Sequence, residues 1–391
     1  MLSSSGKPAR PLRRVICAPD SFKETLRAAE AARAMAEGIA AADPTIEVDL
    51  CPVADGGEGT LEALLPGLNG RTFRAEVTGP RGRPVEARYG ISGDGRIGVV
   101  ELAEASGLAL LPKELRDPMQ TTTYGTGELI ALAHRAGCET VIVCIGGSAT
   151  VDGGSGIIQA LGGHFTDERG ERITTPMTGG QLRSLLRVTP ADRRGGPKLR
   201  VACDVTNPLC GEHGAAAVYG PQKGATPAMV RELDEGLRHL ADLLGTDPDT
   251  PGCGAAGGVS FGLVAACGAT LERGVDLVLD AIGFQQRCRH ADLVLTGEGR
   301  LDEQSRSGKA VMGVARMARR CGVGTIAIVG STGPGAEACR EEQPGGFLDD
   351  FLSLTARFGG ERARAEPAWA VREATRELIR DVAGLPAGEG R

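Results

Sequence analysis

Aromatic residues are scarce in this chain, with one Trp, three Tyr and eight Phe among 391 residues. There are five His and no Cys-x-x-Cys pair, and the 11 Cys are an odd number scattered singly. That pattern excludes spaced zinc ligands and a disulfide framework, and it reads as small buried hydrophobes in a reducing cytosol. No run approaches the roughly 18 apolar residues of a membrane span, and the basic start runs into a strand pattern without an apolar leader core. Basic blocks are missing too. Lys and Arg number 44 against 50 Asp and Glu, a net charge of −6, which argues against nucleic-acid or anionic-membrane partners. The expectation is a cytoplasmic protein of small-molecule ligands, with a homo-oligomer left open.

Formal nucleotide signatures fail as well. Gly308-Lys309 is followed by Ala310, and Glu303 stands where a Walker A motif needs its first glycine. Gly93–Gly98 matches GxGxxG inside a hairpin turn. Gly252–Gly257 matches it before a helix but without the preceding strand, so a dinucleotide fold is disfavoured.

What the sequence has is glycine. The count is 59, roughly twice the ordinary share of about 7%, while apolar content stays at 41%. At both chain ends strands alternate with helices. A strand near 14–18 precedes a helix near 24–41, and a strand near 46–51 leads into a helix near 58. Beyond residue 291 the same alternation returns, which predicts a parallel sheet. Between them, segments 73–78, 85–91 and 97–102 are joined by GPRGRP and SGDGR turns, the mark of hairpins. The economical fold is a parallel α/β domain made from residues 1–70 and 285–391, with a mixed α/β domain inserted at 71–284.

Several loops combine glycine with hydroxyl and acidic residues beside a strand end or helix start. Gly146-Gly-Ser-Ala-Thr-Val-Asp-Gly-Gly154 offers successive N–H groups to an anion, with donors from Ser148 and Thr150 and no Cβ at Gly146, Gly147 or Gly153. Its alternative is a tight strand–helix turn. The segment TTTYGTG adds Gly125, Thr126 and Gly127 as phosphate candidates, or is ordinary capping. ADGGEGT sets Asp55 and Glu58 at the carboxyl end of a strand, where open α/β sheets collect ligands; as alternatives they serve as N-cap and helix-dipole acid. PDSFK brings Ser21 and Lys23 to the same edge, and TGEGRLDEQSRSGK brings Glu298, Arg300, Asp302 and Lys309. In the insert, CDVTNP ends a strand with Asp204, either a general base or the start of an Asx-turn, and GPQKG offers Lys223. Dispersed single carboxylates suit Mg²⁺ where they do not suit zinc. Together these groups suggest phosphoryl transfer in a cleft between two domains, chemistry that needs N–H nests, Lys, Mg²⁺ and an orienting carboxylate.

PDSFKETL, ADGGEGT, TTTYGTGELI, IGGSATVDGG, CDVTNPLCGEHGA with GPQKGA, GAAGG and TGEGRLDEQSRSGK occur in an order and spacing that resembles the bacterial glycerate kinase family, type I. The likeness runs from about Val15 past Val329. The first dozen residues and Asp192–Pro197 fall outside it, and SRSGK stands where Thr-x-x-Gly-Lys is expected. The resemblance implies Mg²⁺-dependent transfer from ATP to D-glycerate, giving 2-phosphoglycerate, on a flavodoxin-like domain with an inserted α/β domain. Alternatives are a kinase of another small hydroxy acid and a non-catalytic nucleotide-binding protein of the same fold. Chemistry assigns the roles: Asp204 orients the attacking hydroxyl, and Lys23 meets the acceptor carboxylate beside Ser21, with Arg300 and Lys309 as further cations. Asp55, Asp152, Glu298 and Asp302 serve the metal, and the two glycine–hydroxyl loops serve the ATP phosphates.

Overall fold

Continuous apolar runs form the central strands, because a parallel strand covered by helices is buried on both faces. Val15, Ile16, Cys17 and Ala18 have no exposure, and neither do Val141 and Val143. The computed structural model describes residues 12–22, 25–192, 194–306 and 310–385. In chain order its strands are β1 (Arg14–Pro19), β2 (Glu47–Leu50), β3 (Arg71–Thr78), β4 (Pro84–Ile91), β5 (Ile97–Glu101), β6 (Thr140–Cys144), β7 (His164–Asp167), β8 (Leu185–Thr189), β9 (Lys198–Ala202), β10 (Thr270–Glu272), β11 (Leu293–Leu301), β12 (Gly324–Thr332) and β13 (Asp350–Ser353).

The chain divides into two compact units. The first takes the residues up to Asp55, Glu62–Gly67 and everything from Val275 on. Its sheet runs β2-β1-β11-β12-β13, all parallel, which is the flavodoxin-like order 2-1-3-4-5. Helices cover both faces. Val15, Cys17, Ile326 and Ile328 pack with helices Ala28–Ala42 and Pro367–Ala383, while Ala327 and Val329 face helix Ala310–Arg320. The alternation follows the two-residue period of a strand.

The second unit takes Gly56–Leu61 and Leu68–Gly274. Its sheet runs β10-β9-β6-β5-β4-β3, parallel from β10 to β5 and antiparallel through the two hairpins. β7 and β8 form a separate antiparallel pair. The unit edges lie away from residues 70 and 285. Val275 packs on Gly313 of helix Ala310–Arg320, where any added Cβ would collide with it, so 275–284 join the first unit. Leu61 N–H donates to the Glu101 carboxylate at 2.7 Å, which ties Gly56–Leu61 to the second.

One element differs from the sequence expectation in kind. TGEGRL was expected to be a loop, yet β11 continues through it and pairs with β12 as far as Leu301 and Thr332. Its glycines are no obstacle to the ladder; at Gly297 a side chain would strike the Ile328 carbonyl.

Candidate active site

In the first unit, β1 and β11 are neighbours where the strand order reverses, the switch point at which such sheets bind ligands beyond their carboxyl ends. Asp20 leaves β1 there, its N–H donating to the Gly297 carbonyl at 2.8 Å. Ser21 N–H donates to Asp20 Oδ1 at 2.6 Å. The chain after β2 stays alongside, with Val53 N–H on the Pro19 carbonyl at 3.0 Å, and so delivers Asp55. Glu298 comes from β11 and is 7% exposed. Burial first, then the charges of Asp55 and Glu298, push the Asp20 carboxyl up to about 7 against the hydrogen bonds from Ser21. Three acids therefore share one edge. Sequence reading took Ser21 and Lys23 from PDSFK and passed over Asp20; the available signal was an acid directly after a strand.

Arg300 and Asp302 lie further along. Arg300 Nε pairs with Asp302 Oδ2 at 3.4 Å, and Asp302 Oδ1 accepts from Gln304 N–H at 3.0 Å, so Asp302 also caps the short helix Glu303–Arg306. Lys23 and Lys309 lie outside the described residues. Among the described residues, no three of His, Cys, Asp or Glu form a ready metal cage. The donor set at the switch point is nonetheless all oxygen, and mutual repulsion there favours a cation. This fits Mg²⁺, which keeps much of its water and takes one or two carboxylates plus phosphate oxygens.

In the second unit, Glu101 ends β5 and its carboxyl is pushed up to about 7, chiefly by burial. Through Leu61 it pins Gly56–Leu61 beside the loop after β6, where Glu58 stands next to Gly147. In that loop Gly146 is half-buried and Gly147 exposed, while 148–158 are buried. The anion-binding part is thus a two-glycine turn, much shorter than the sequence suggested. Gly147 needs its freedom, with φ +70° and Glu58 in the place of a Cβ. Gly153, at φ +62°, faces Leu240 in the core, which withdraws it from the phosphate set. Ser148 Oγ and the Thr150 carbonyl both accept from Lys223 Nζ at 2.7 Å. Thr150 itself has no exposure.

Asp152 was expected to serve a metal, and the geometry gives it another task. It is fully buried and accepts from Thr123 N–H at 2.9 Å, Thr123 Oγ1 at 2.7 Å, Gly154 N–H at 3.1 Å and Gly156 N–H at 3.3 Å. Four donors occupy its oxygens. TTTYGTG is likewise corrected: Gly125, Thr126 and Gly127 are buried and begin the helix Tyr124–Arg135. Gly125 lies against the Thr78 carbonyl, and Thr126 Oγ1 shares a 2.9 Å hydrogen bond with Ser106 Oγ. None of the three is open to an anion. Asp204 is exposed after β9, and its Oδ1 accepts from Gly274 N–H at 3.0 Å.

Acidic oxygens at the switch point of one sheet, and a glycine turn beside a buried ammonium in the other unit, are groups that suit phosphoryl transfer, and the relatives that follow make the protein an α/β phosphotransferase, an ATP-dependent kinase. Comparison with known proteins narrows the class. The model of the glycerate kinase family matches residues 15–383. The chain is 50% identical to a glycerate kinase of Bacillus subtilis, over 81% of this chain and 85% of that one. It is 49% identical to one of Halalkalibacterium halodurans, over 88% and 91%. A glycerate 2-kinase of Escherichia coli is 46% identical over 81% and 85%. A crystal structure assigned to glycerate kinase 2 of Salmonella typhimurium LT2 superposes with a TM-score of 0.85 at 42% identity, over 95% of this chain and 99% of that one. The chain belongs to the glycerate kinase family. No helix among the described residues is long and apolar enough to cross a membrane.

Proposed function

We propose that this kinase transfers the γ-phosphoryl group of ATP to the 2-hydroxyl of D-glycerate and uses Mg²⁺. The observation that carries the reading is the gathering of Asp20, Asp55 and Glu298 at the switch point, where burial first and then the neighbouring charges push the Asp20 carboxyl up to about 7. Three such acids repel one another, and a divalent ion that also takes phosphate oxygens offsets that repulsion. When bound, Mg²⁺ neutralises charge that develops on the transferred group. Gly146 and Gly147 hold phosphate oxygens on their N–H groups. Asp204 accepts the hydrogen bond of the attacking hydroxyl and aims it, because a loose phosphoryl transfer needs orientation more than early deprotonation. Lys23, with Ser21 beside it, meets the acceptor carboxylate. Glycerate as acceptor and position 2 as its target follow the relatives named above.

The test is turnover of purified protein with ATP, Mg²⁺ and a panel of small hydroxy acids, followed by phosphorus NMR of the product. D-Glycerate is expected to be the best acceptor. Its product should show a doublet, from the single C2 proton, where a phosphate on C3 would show a triplet. A triplet removes the 2-position, and a better acceptor elsewhere in the panel replaces glycerate. Full activity after complete removal of divalent ions excludes the metal.

A further inference from the structure

Lys223 is 1% exposed, and the two described acceptors of its ammonium, Ser148 Oγ and the Thr150 carbonyl, are both neutral. A buried charge resting on neutral groups is costly, and a Met of similar length would fill the same space without that cost. The turn that delivers it is rigid. Pro221–Lys223 is a single 3₁₀ turn, and it ends at Gly224, whose φ of +97° and close approach to the Arg116 carbonyl leave no room for a side chain. Above the ammonium, Leu108 N–H donates to the Gly147 carbonyl at 2.8 Å and Ala149 N–H to the Ser106 carbonyl at 2.9 Å. These two bonds clamp Gly147–Ala149 to Ser106–Leu108. The residue clamped between them, Ser148, is the one that Lys223 holds, and the residues just before it are the loop's accessible glycines.

Among the described residues, three charged groups flank this loop. Asp152 lies on the same loop with its oxygens committed to Thr123, Gly154 and Gly156. Arg116 backs the Gly224 turn, with its Nε buried. Glu58 stands beside Gly147 from the Gly56–Leu61 segment. Of these groups, Glu58 lies beside Gly147 itself, and Lys223 holds the residue that follows it.

We propose that Lys223 is the positioning residue of the phosphate-binding turn: it holds Ser148 and the Thr150 carbonyl so that the Gly146 and Gly147 N–H groups stand ready, and it supplies the positive charge under the bound phosphate. The inference rests on the reading above that ATP phosphates occupy this turn. It carries a consequence that mere structural support does not. Burial lowers the ammonium to about 7, with the charge of Asp152 opposing. An arriving phosphate raises it again, so ATP binding at pH 8 takes up a proton.

The experiment is calorimetric titration of Mg–ATP into the full chain at pH 8, in two buffers of different ionisation enthalpy. At that pH the terminal phosphate of ATP is already ionised. Wild type should take up roughly half to one proton per ATP. Lys223→Met should take up none and bind ATP about tenfold more weakly or worse. Lys223→Arg keeps the charge, so it should bind within about threefold of wild type and take up none. Wild-type binding without proton uptake overturns the proposal, as does Lys223→Met binding ATP within twofold of wild type. If the Met variant does not fold, wild type and Lys223→Arg decide alone. The acceptor reading fails separately: ATP binding with proton uptake while D-glycerate stays unphosphorylated leaves Lys223 in place. A Met variant that loses glycerate affinity but keeps ATP overturns the role of Lys223 and leaves the activity standing.

Discussion

A carboxyl held near 7 beside two other acids is a liability at neutral pH, and Asp20 bears it. Unfolded, Asp20 titrates near 3.9; folded, it holds its proton up to about 7. Between those values the folded state binds more protons than the unfolded state, so the contribution to stability falls as pH climbs from about 4 to 7. Above 7 the penalty is complete. In chelator at pH 8, Asp20→Asn should therefore melt a few degrees above wild type, and the gap should close near pH 5, where the wild-type carboxyl is protonated. Saturating Mg²⁺ should raise the wild-type melting temperature more than that of the variant. Equal melting of both proteins at pH 8 would remove the penalty of the buried, ionised carboxyl from the account. Little of this was legible in the sequence. Asp55 and Glu298 stood out because glycines frame them, whereas Asp20 acquires its meaning only when β11 is laid beside β1. Lys223 was visible as a lysine among turn residues, but its burial depends on the loop after β6, about 70 residues earlier in the chain.

At the scale of elements, two segments looked alike in sequence and behave differently in the fold. Glycine and hydroxyl residues before a helix suggest an anion site, but the same residues also let a backbone pass close to its neighbours. TTTYGTG does the second. Thr121 Oγ1 donates to the Ala149 carbonyl at 3.0 Å, and Thr123 Oγ1 both donates to Asp152 and accepts from Ile157 N–H. Asp152 is the staple that joins this segment to the loop after β6, and a staple responds to mutation differently from a metal ligand. Asp152→Ala strands several buried N–H groups, which should cost about 2–4 kcal/mol and lower the melting temperature with or without Mg²⁺. A metal ligand would instead lose its melting shift on Mg²⁺ addition and keep its stability in chelator. Melting curves of the variant in chelator and in Mg²⁺ separate the two, and wild-type stability in chelator would return Asp152 to the metal. The continuation of β11 through TGEGRL was hidden for a related reason. Glycine signals a turn in an isolated strand, but in a central strand it also marks where another backbone comes close.

At the scale of the molecule, the parallel unit made from both chain ends was the most legible feature, because βαβ alternation repeats there without hairpin turns. The inner edge near Val275 was not, since the helix Gly274–Ala281 has the same amphipathic character whichever unit it covers. That discontinuity has a kinetic cost. In the first unit, β1 has to pair with β11, and the bond from Arg13 N–H to Asp292 beside that pairing closes a separation of 279 residues. In the second, Arg96 and Glu139 at the start of β5 and β6 are 43 apart. Loop-closure entropy grows as (3/2)RT ln n, so the first closure costs roughly 1.7 kcal/mol more than the second, and non-local pairings form late. The second unit should therefore acquire its sheet first. Pulsed hydrogen exchange during refolding from denaturant should protect amides of β6 before those of β1. The ratio of rates is expected to exceed about tenfold, the equivalent of that free-energy difference. Simultaneous protection of both strands would mean that the two units fold as one cooperative body. Protection of β1 first would mean that the chain ends meet before the insert is formed, against the entropy that separates them.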